Sequence, residues 1–336
     1  MLTRWLIMLF LLFWALPLAA HGSVFLYDED TLKSWKNRYQ ENAQWNFDNA
    51  ILKKLAPKEQ LELRGVRLEF PLAEENPLEF YSIPVKRTIY LPVQSIKFLD
   101  DLCIANAWLL RNNFSVESIY YYIGIRSYRR PESFPGGRYP RPLVALQIPD
   151  NALKDPWVDD VSQKLLKSAL VFIMGHELGH LYYHHAPDSP DPQKQEREAD
   201  TFALEVFRRL GTVPAGMSIY FTVATYLTKH PGDFSNDAQW QAFIRRQSHP
   251  FTPARLHSVA AGLRQRPEDF AKSEPRFEQA VRAVAAIAND IDGIARIQED
   301  ADFSRAFAHA CNKLDLQILL KPRRPGEPLM PSSSQK

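Results

Sequence analysis

The chain has few cysteines and little net charge. Its 336 residues include two cysteines, Cys103 and Cys311, and its formal net charge at pH 7 is +2. Two cysteines limit the chain to one intramolecular disulfide, and two buried free thiols are the equal alternative. A net charge this close to zero gives no reason to expect nucleic acid or an anionic surface as a partner.

Long apolar runs are scarce after residue 20. None of the later segments reads as a transmembrane helix. A repeat of about 34 residues, which would indicate a helical-repeat extension, is not evident either. Hydrophobic residues nevertheless make up 45% of the chain and charged residues 24%, which is typical of a globular protein with a substantial core.

The first twenty residues differ from the rest. Arg4 precedes an almost entirely apolar run over residues 5–18, and small residues end the segment at Ala20. The run is shorter than the ~20 residues that a spanning helix needs, so we predict a signal peptide over residues 1–20 that is cleaved on export. An uncleaved N-terminal anchor is the alternative. Export places the mature protein in a bacterial periplasm or outside the cell, and leaves peripheral membrane association open.

Residues 171–185 read V-F-I-M-G-H-E-L-G-H-L-Y-Y-H-H. His176 and His180 are four residues apart, so on a helix their Cβ atoms lie about 5–6 Å apart on one face and both side chains can reach one zinc ion. Glu177 then points at the open side of the metal, where it takes a proton from the metal-bound water, as in other H-E-x-x-H sites. The apolar stretch at 168–174 favours the buried helix that this arrangement requires. The alternative is a core helix with hydrogen-bonded histidines.

A catalytic zinc ion also needs a third protein ligand and one open position. The amphipathic pattern that ends at Gly211 carries Glu196 and Asp200 one helical turn apart. We predict that Glu196 is the third ligand, and that Asp200 accepts the second ring N–H of a zinc-bound histidine and so fixes its tautomer. Glu198 lies about 200° around the same helix and is expected in solvent. An ordinary helix with an acidic first turn is the alternative.

Three motifs resemble those of a known peptidase family. H-E-L-G-H at 176–180 and E-R-E-A-D at 196–200 are followed by S-H-P-F-T-P-A-R-L at 248–256. In this order they are similar to the motifs of gluzincin metallopeptidases, and most closely to those of the HtpX / CaaX prenyl protease type (metallopeptidase family forty-eight). The resemblance covers about residues 165 to 262, and three motifs in series are more specific than any one of them.

This resemblance implies roles for two further residues. His249 would lie beside the metal, where it either stabilises the tetrahedral intermediate or acts as an inhibitory ligand. Arg255 would brace the site by pairing with an acidic residue such as Asp200. The alternative for His249 is a histidine in a surface turn.

The resemblance also implies a fold, which agrees with the pattern of the chain. We expect an α+β, zincin-like catalytic domain over residues 21–270, in which a small twisted sheet packs on the H-E-x-x-H helix and its edge strand binds extended peptide. A helical cover over 271–320 and a disordered tail over 321–336 follow. The patterns predict strands at 63–72, 85–93, 120–128 and 143–148. They predict helices at 28–58, 96–112, 213–230, 252–266, 276–290 and 294–310.

Function follows from these motifs. We predict a zinc-dependent endopeptidase, a hydrolase that binds one Zn²⁺ per chain. The family resemblance and the signal segment together imply that it acts on misfolded or unassembled envelope proteins. A different class stays open, a catalytically silent, zinc-stabilised binding or chaperone-like protein, because His184, His185 and His249 could close the metal site. The 129–142 segment, rich in proline and glycine, is either a flap over the cleft or an exposed connector.

Overall fold

The computed structural model describes residues 26–74, 76–186, 189–247 and 249–329. The predicted signal peptide at 1–20 lies outside the described residues. The described chain is mostly helical with one small mixed sheet, so the α+β class is confirmed. The helices, in chain order, are α1 (Glu29–Asn46), α2 (Leu52–Lys54), α3 (Pro57–Glu62), α4 (Val93–Arg111), α5 (Glu117–Tyr128), α6 (Pro142–Ala145), α7 (Pro156–Tyr182), α8 (Pro192–Leu210), α9 (Gly216–Leu227), α10 (Asp237–Ile244), α11 (Pro253–Gln265), α12 (Phe277–Glu299), α13 (Ala301–Lys313) and α14 (Leu316–Leu320).

The sheet has three short strands, β1 (Arg67–Glu69), β2 (Tyr81–Ile83) and β3 (Thr88–Tyr90), in the order β1-β3-β2. β1 runs parallel to β3, and β2 runs antiparallel to it. β2 is therefore an edge strand, and it packs against α7. The strands predicted at 63–72 and 85–93 are present in shortened form.

Two strand predictions are wrong. Residues 120–128 belong to α5, and residues 143–148 form the end of α6 and a turn. The tyrosines and isoleucines of the first segment favour strands in isolation, but burial against α9 and α13 selects a helix here. In the second segment Pro142 occupies the first helical position, where its missing N–H and fixed φ suit a helix start.

Helix α7 lies at the centre of the fold. It packs against α8, α4 and α9, and nearly every residue from Ala169 to Leu181 is buried. A helix that is apolar all round needs such a position, because no face of it is left for water. The H-E-x-x-H residues are therefore held in the protein interior.

The C-terminal part differs from its prediction in two ways. α12 continues to Glu299 instead of ending near residue 290. The predicted disordered tail is held at its start, where Arg323 is buried and its carbonyl oxygen accepts a hydrogen bond from the N–H of Ser115 at 2.7 Å. Residues 330–336 lie outside the described residues.

Three further predictions concern the connector, the cysteines and the membrane. The 129–142 segment packs on α5, where Tyr122 donates a hydrogen bond to the carbonyl oxygen of Pro140 at 2.8 Å, which favours a connector over a flap.

Cys103 and Cys311 are both free and buried, so the alternative of two free thiols is confirmed. Within the described ranges no helix is both long and apolar enough to cross a membrane.

Candidate metal centre

Close packing of α7 on α8 brings the predicted site residues together. A Cβ added to Gly179 would lie 2.8 Å from Cα of Ala199, and one added to Gly175 would lie 3.1 Å from Cα of Ala203. Real Cβ atoms almost never approach within 3.0 Å, so the helices reach this separation at Gly179 only because the residue is glycine, and the contact at Gly175 would also be tight. As a result Glu196, one turn before Ala199, lies level with the histidines of α7.

Four side chains meet at this point with their ligand atoms within 4.8 Å of one another: His176, His180, Glu196 and His249. Nε2 of His176 lies 3.0 Å from Nε2 of His180 and 3.5 Å from Nδ1 of His249. Oε1 of Glu196 lies 3.2 Å from Nε2 of His180 and 3.1 Å from Nδ1 of His249. His176 and Glu196 are buried, whereas His249 is half-buried.

The spacing of these atoms suits a small metal ion. Four ligands placed tetrahedrally at ~2.0–2.1 Å from zinc lie roughly 3.3–3.4 Å from one another. The separations between the four side chains fall on both sides of this value. A cluster of imidazoles and one carboxylate could therefore hold a metal ion without a large rearrangement.

A second layer of charged groups fixes the orientation of the cluster. Oδ1 of Asp200 lies 2.9 Å from Nδ1 of His176, so Nε2 of that ring is turned toward the cluster. Arg255, which is fully buried, donates to both carboxylate oxygens of Asp200 at 2.7 and 2.9 Å. Its Nη1 lies 2.5 Å from Oε2 of Glu196. One guanidinium thus positions both carboxylates.

Burial and opposite charges shift the pKa values of these groups in consistent directions. Burial alone would lower the pKa of His176, but the carboxylates of Glu196 and Asp200 outweigh it and raise the pKa to about 9. Burial would raise the pKa of Glu196, but Arg255 and the nearby histidines hold it well below its usual range. Two buried carboxylates, Glu196 and Asp200, share the one guanidinium of Arg255, so a further positive charge beside the histidines is favourable.

Glu177 lies beside the four residues without joining them. Its Oε1 is 3.7 Å from Nε2 of His249, and the side chain is buried. Its Oε2 has no hydrogen-bond partner among the described residues. A buried carboxylate oxygen without a partner carries a desolvation cost, which a water molecule, an ion or a substrate group would relieve.

The other histidines of the motif behave differently from one another. His185 lies with Nδ1 2.9 Å from Nδ1 of His180 and Nε2 3.1 Å from Oε2 of Glu198. Glu198 stays partly exposed to solvent, as predicted, and in addition pairs with His185. His184 is mostly exposed and pairs with Glu62 instead. His185 follows His180 by five residues, and its N–H donates to the carbonyl oxygen of His180 at 3.0 Å, so the chain folds back against the last turn of α7. This spacing was the signal in the sequence that could have identified His185.

Comparison with known proteins gives one match. Residues 138–273 match the family model Peptidase U49, a segment that contains every residue of the cluster. The search of curated proteins found no match, and the search of solved structures found none.

The matched family corrects the resemblance stated above. Peptidase U49 is a different peptidase family from the HtpX / CaaX prenyl protease type of gluzincins, so that assignment is wrong. The cause is the brevity of the motifs, since H-E-x-x-H and a following acidic residue reflect metal chemistry that unrelated families share. What the match over residues 138–273 indicates is a peptidase, and thus a hydrolase.

Proposed function

We propose that this protein is a zinc-dependent endopeptidase. The observation that carries the proposal is the cluster of His176, His180, Glu196 and His249, whose ligand atoms lie within 4.8 Å of one another inside the segment similar to Peptidase U49. Two imidazoles and a carboxylate are a common ligand set of catalytic zinc. His176, His180 and Glu196 supply this set without His249.

The chain's own atoms fit the proposed ion. The ligand spacing suits tetrahedral zinc. The buried carboxylate of Glu177 lies beside the cluster, with Oε1 3.7 Å from Nε2 of His249 and Oε2 without a partner in the described residues. When bound, zinc would supply a Lewis acid that polarises the scissile carbonyl and lowers the pKa of water.

Glu177 is the proposed general base. Its buried carboxylate takes the proton from the attacking water and delivers it to the leaving amine, a role that typically contributes about 10²- to 10⁴-fold to the rate. The half-buried ring of His249, whose Nε2 lies 3.7 Å from this carboxylate, is the proposed hydrogen-bond donor to the oxyanion that develops on the substrate.

Asp200 and Arg255 are proposed positioning residues. Asp200 holds the Nδ1–H of His176, which fixes the tautomer and leaves Nε2 free to bind. Arg255 binds Asp200 with two hydrogen bonds and holds Glu196 by a third contact, so the carboxylates keep their places.

We propose polypeptides of the cell envelope as substrates, misfolded or unassembled chains above all. Support comes from β2, an edge strand that packs on α7 and could pair with an extended substrate. Unfolded chains present such extended backbone. The apolar run at residues 5–18 after Arg4 supports export to the periplasm.

The test compares cleavage of casein by the wild type and by Glu177→Gln, each loaded with zinc. We expect the variant to keep one zinc ion per chain and to lose at least about 10²-fold in rate. The matched control is Glu205→Gln, the same change at an exposed carboxylate of α8 that pairs with Arg209. Full activity of Glu177→Gln would exclude this mechanism.

A second candidate is a zinc-stabilised binding or chaperone-like envelope protein with a silent site. The observation in its favour is His249, whose Nδ1 lies within the ligand cluster and would leave no open position if it bound the ion. This candidate predicts four protein ligands by X-ray absorption spectroscopy, and no cleavage of casein by the wild type. Cleavage of casein by the wild type excludes it.

A further inference from the structure

A cavity of about 510 Å³ lies between α5, α9 and α12, away from the metal cluster. Its floor consists of buried apolar side chains of α9 and α12, among them Ile219, Ile287 and Ile294. The rings of Tyr120 and Tyr226 stack at 5.1 Å and form a flat wall. Ligand pockets of about 300–1,000 Å³ lined mainly by apolar and aromatic groups are typical of sites for small molecules.

Helix α9 separates this cavity from the proposed active site. Ser218, Ile219 and Thr222 of α9 line the cavity. Tyr220 and Phe221 of the same helix instead pack their rings against Phe172, whose ring lies 6.1 Å from that of His176. The cavity is therefore a separate feature, and an inference about it does not depend on the proposed function.

Gly293 lines the cavity at a position where a larger side chain would extend into empty space. It lies within α12, where glycine weakens a helix, and it lines the cavity. A Cβ added there would have no atom within 4 Å. Close packing of helices therefore gives no reason for this glycine, in contrast to Gly175 and Gly179. A bare backbone at a cavity wall is what close approach of a ligand requires.

The mouth of the cavity carries the polar groups that would select a ligand. Asn289 and Asp290, in the middle of α12, line the cavity and are exposed. Asp290 forms no ion pair with any residue in the described ranges, and its one weak partner is the hydroxyl of Ser218 at 3.5 Å. A carboxylate at the rim of an apolar cavity repels an anionic headgroup and attracts a cationic one.

We propose that this cavity binds an amphiphile with an apolar chain and a primary ammonium headgroup. The chain lies along Ile219, Ile287 and Ile294 and passes over the bare backbone of Gly293. The ammonium group pairs with Asp290 at the mouth. The same features disfavour a fatty acid of equal length, because its carboxylate would meet that of Asp290.

The experiment is a calorimetric titration of the purified protein with decylamine, decan-1-ol and decanoate, each below its micelle-forming concentration. We expect one saturable decylamine site per chain, and decanoate binding at least about tenfold weaker. Asp290→Asn should reduce the preference for decylamine over decanoate to about threefold or less, and leave decan-1-ol binding unchanged.

Gly293→Leu fills the cavity and should weaken decylamine binding by at least about tenfold. The helix should persist, since leucine is a better helix former than glycine. Ala285→Leu, on an exposed part of α12, is the matched control and should bind as the wild type does. Absence of saturable decylamine binding, equal binding of decanoate, or unchanged binding by Gly293→Leu would each overturn the proposal. Asp290→Asn changes an exposed residue and therefore tests the proposed ligand even if Gly293→Leu does not fold.

Discussion

Replacing Gly179 by alanine should force α7 and α8 apart. The new Cβ would lie 2.8 Å from Cα of Ala199 and 3.1 Å from Cβ of Phe202. Carbon atoms in contact prefer about 3.5–4.0 Å, so the shorter distance falls roughly 0.7–1.2 Å short. Backbone atoms cannot rotate away from the clash, and one helix must therefore move. Overpacking of this kind typically costs about 1–3 kcal/mol.

The chain offers a matched control for this change in Gly293→Ala. Both glycines lie within helices, so alanine gains about 1 kcal/mol of helix propensity at each site and reduces the unfolded-state entropy equally. No atom lies within 4 Å of the Cβ added at residue 293. Gly293→Ala should therefore stabilise the protein by about 0.5–1 kcal/mol. The difference between the two variants isolates the overpacking, about 1–3 kcal/mol.

The assay is urea unfolding of the wild type and of both variants, followed by far-ultraviolet circular dichroism. We expect the free energy of unfolding to rank Gly293→Ala above the wild type and Gly179→Ala lowest. The affinity for zinc, measured by competition with a chelator, should also fall in Gly179→Ala, because Glu196 moves with α8. A Gly179→Ala variant as stable as Gly293→Ala would refute the close-packing argument.

Two predictions concern the buried charges, and both can be checked by the same methods. Arg255→Met leaves the carboxylates of Asp200 and Glu196 buried without their cation, so the free energy of unfolding should fall by about 3–5 kcal/mol. Arg305→Met, at an exposed pair with Asp302, should cost about 1 kcal/mol or less, and equal losses in the two variants would contradict the assignment. Asp200→Asn keeps the shape but weakens the hold on His176, and should reduce zinc affinity about 10- to 100-fold. Unchanged affinity would show that Asp200 does not position the ring.

Local spacing made much of the site predictable. Helical periodicity alone places His176 and His180 on one face, and the next amphipathic pattern places Glu196 and Asp200 one turn apart. The structure brings Glu196 to the two histidines and Asp200 to His176. The positions of these four side chains depend on spacing within α7 and α8 and on the short connection between the two helices, so few other arrangements of them are possible.

Relations that depend on distant packing were not predictable. The tyrosine-rich segment at 120–128 has strand propensity, and only burial against α9 and α13 makes it a helix. The pairing of Glu198 with His185 depends on how the chain leaves α7 at Tyr183. The role of Gly179 in the approach of the two helices likewise needs the partner helix in place.

The family resemblance failed for a chemical reason. Three short motifs describe metal ligands and their supports, and any fold that presents them in this geometry will share the pattern. The match to Peptidase U49 extends over residues 138–273 and includes the residues between the motifs. That broader agreement outweighs the motifs on which the resemblance was based.

The zinc content of the purified protein tests the proposed metal site most directly, measured by elemental analysis for the wild type, Glu177→Gln and a His176→Ala/His180→Ala double variant. We expect one zinc ion per chain in the first two proteins and none in the third. A wild type that binds no zinc, or a double variant that binds as much as the wild type, would contradict it.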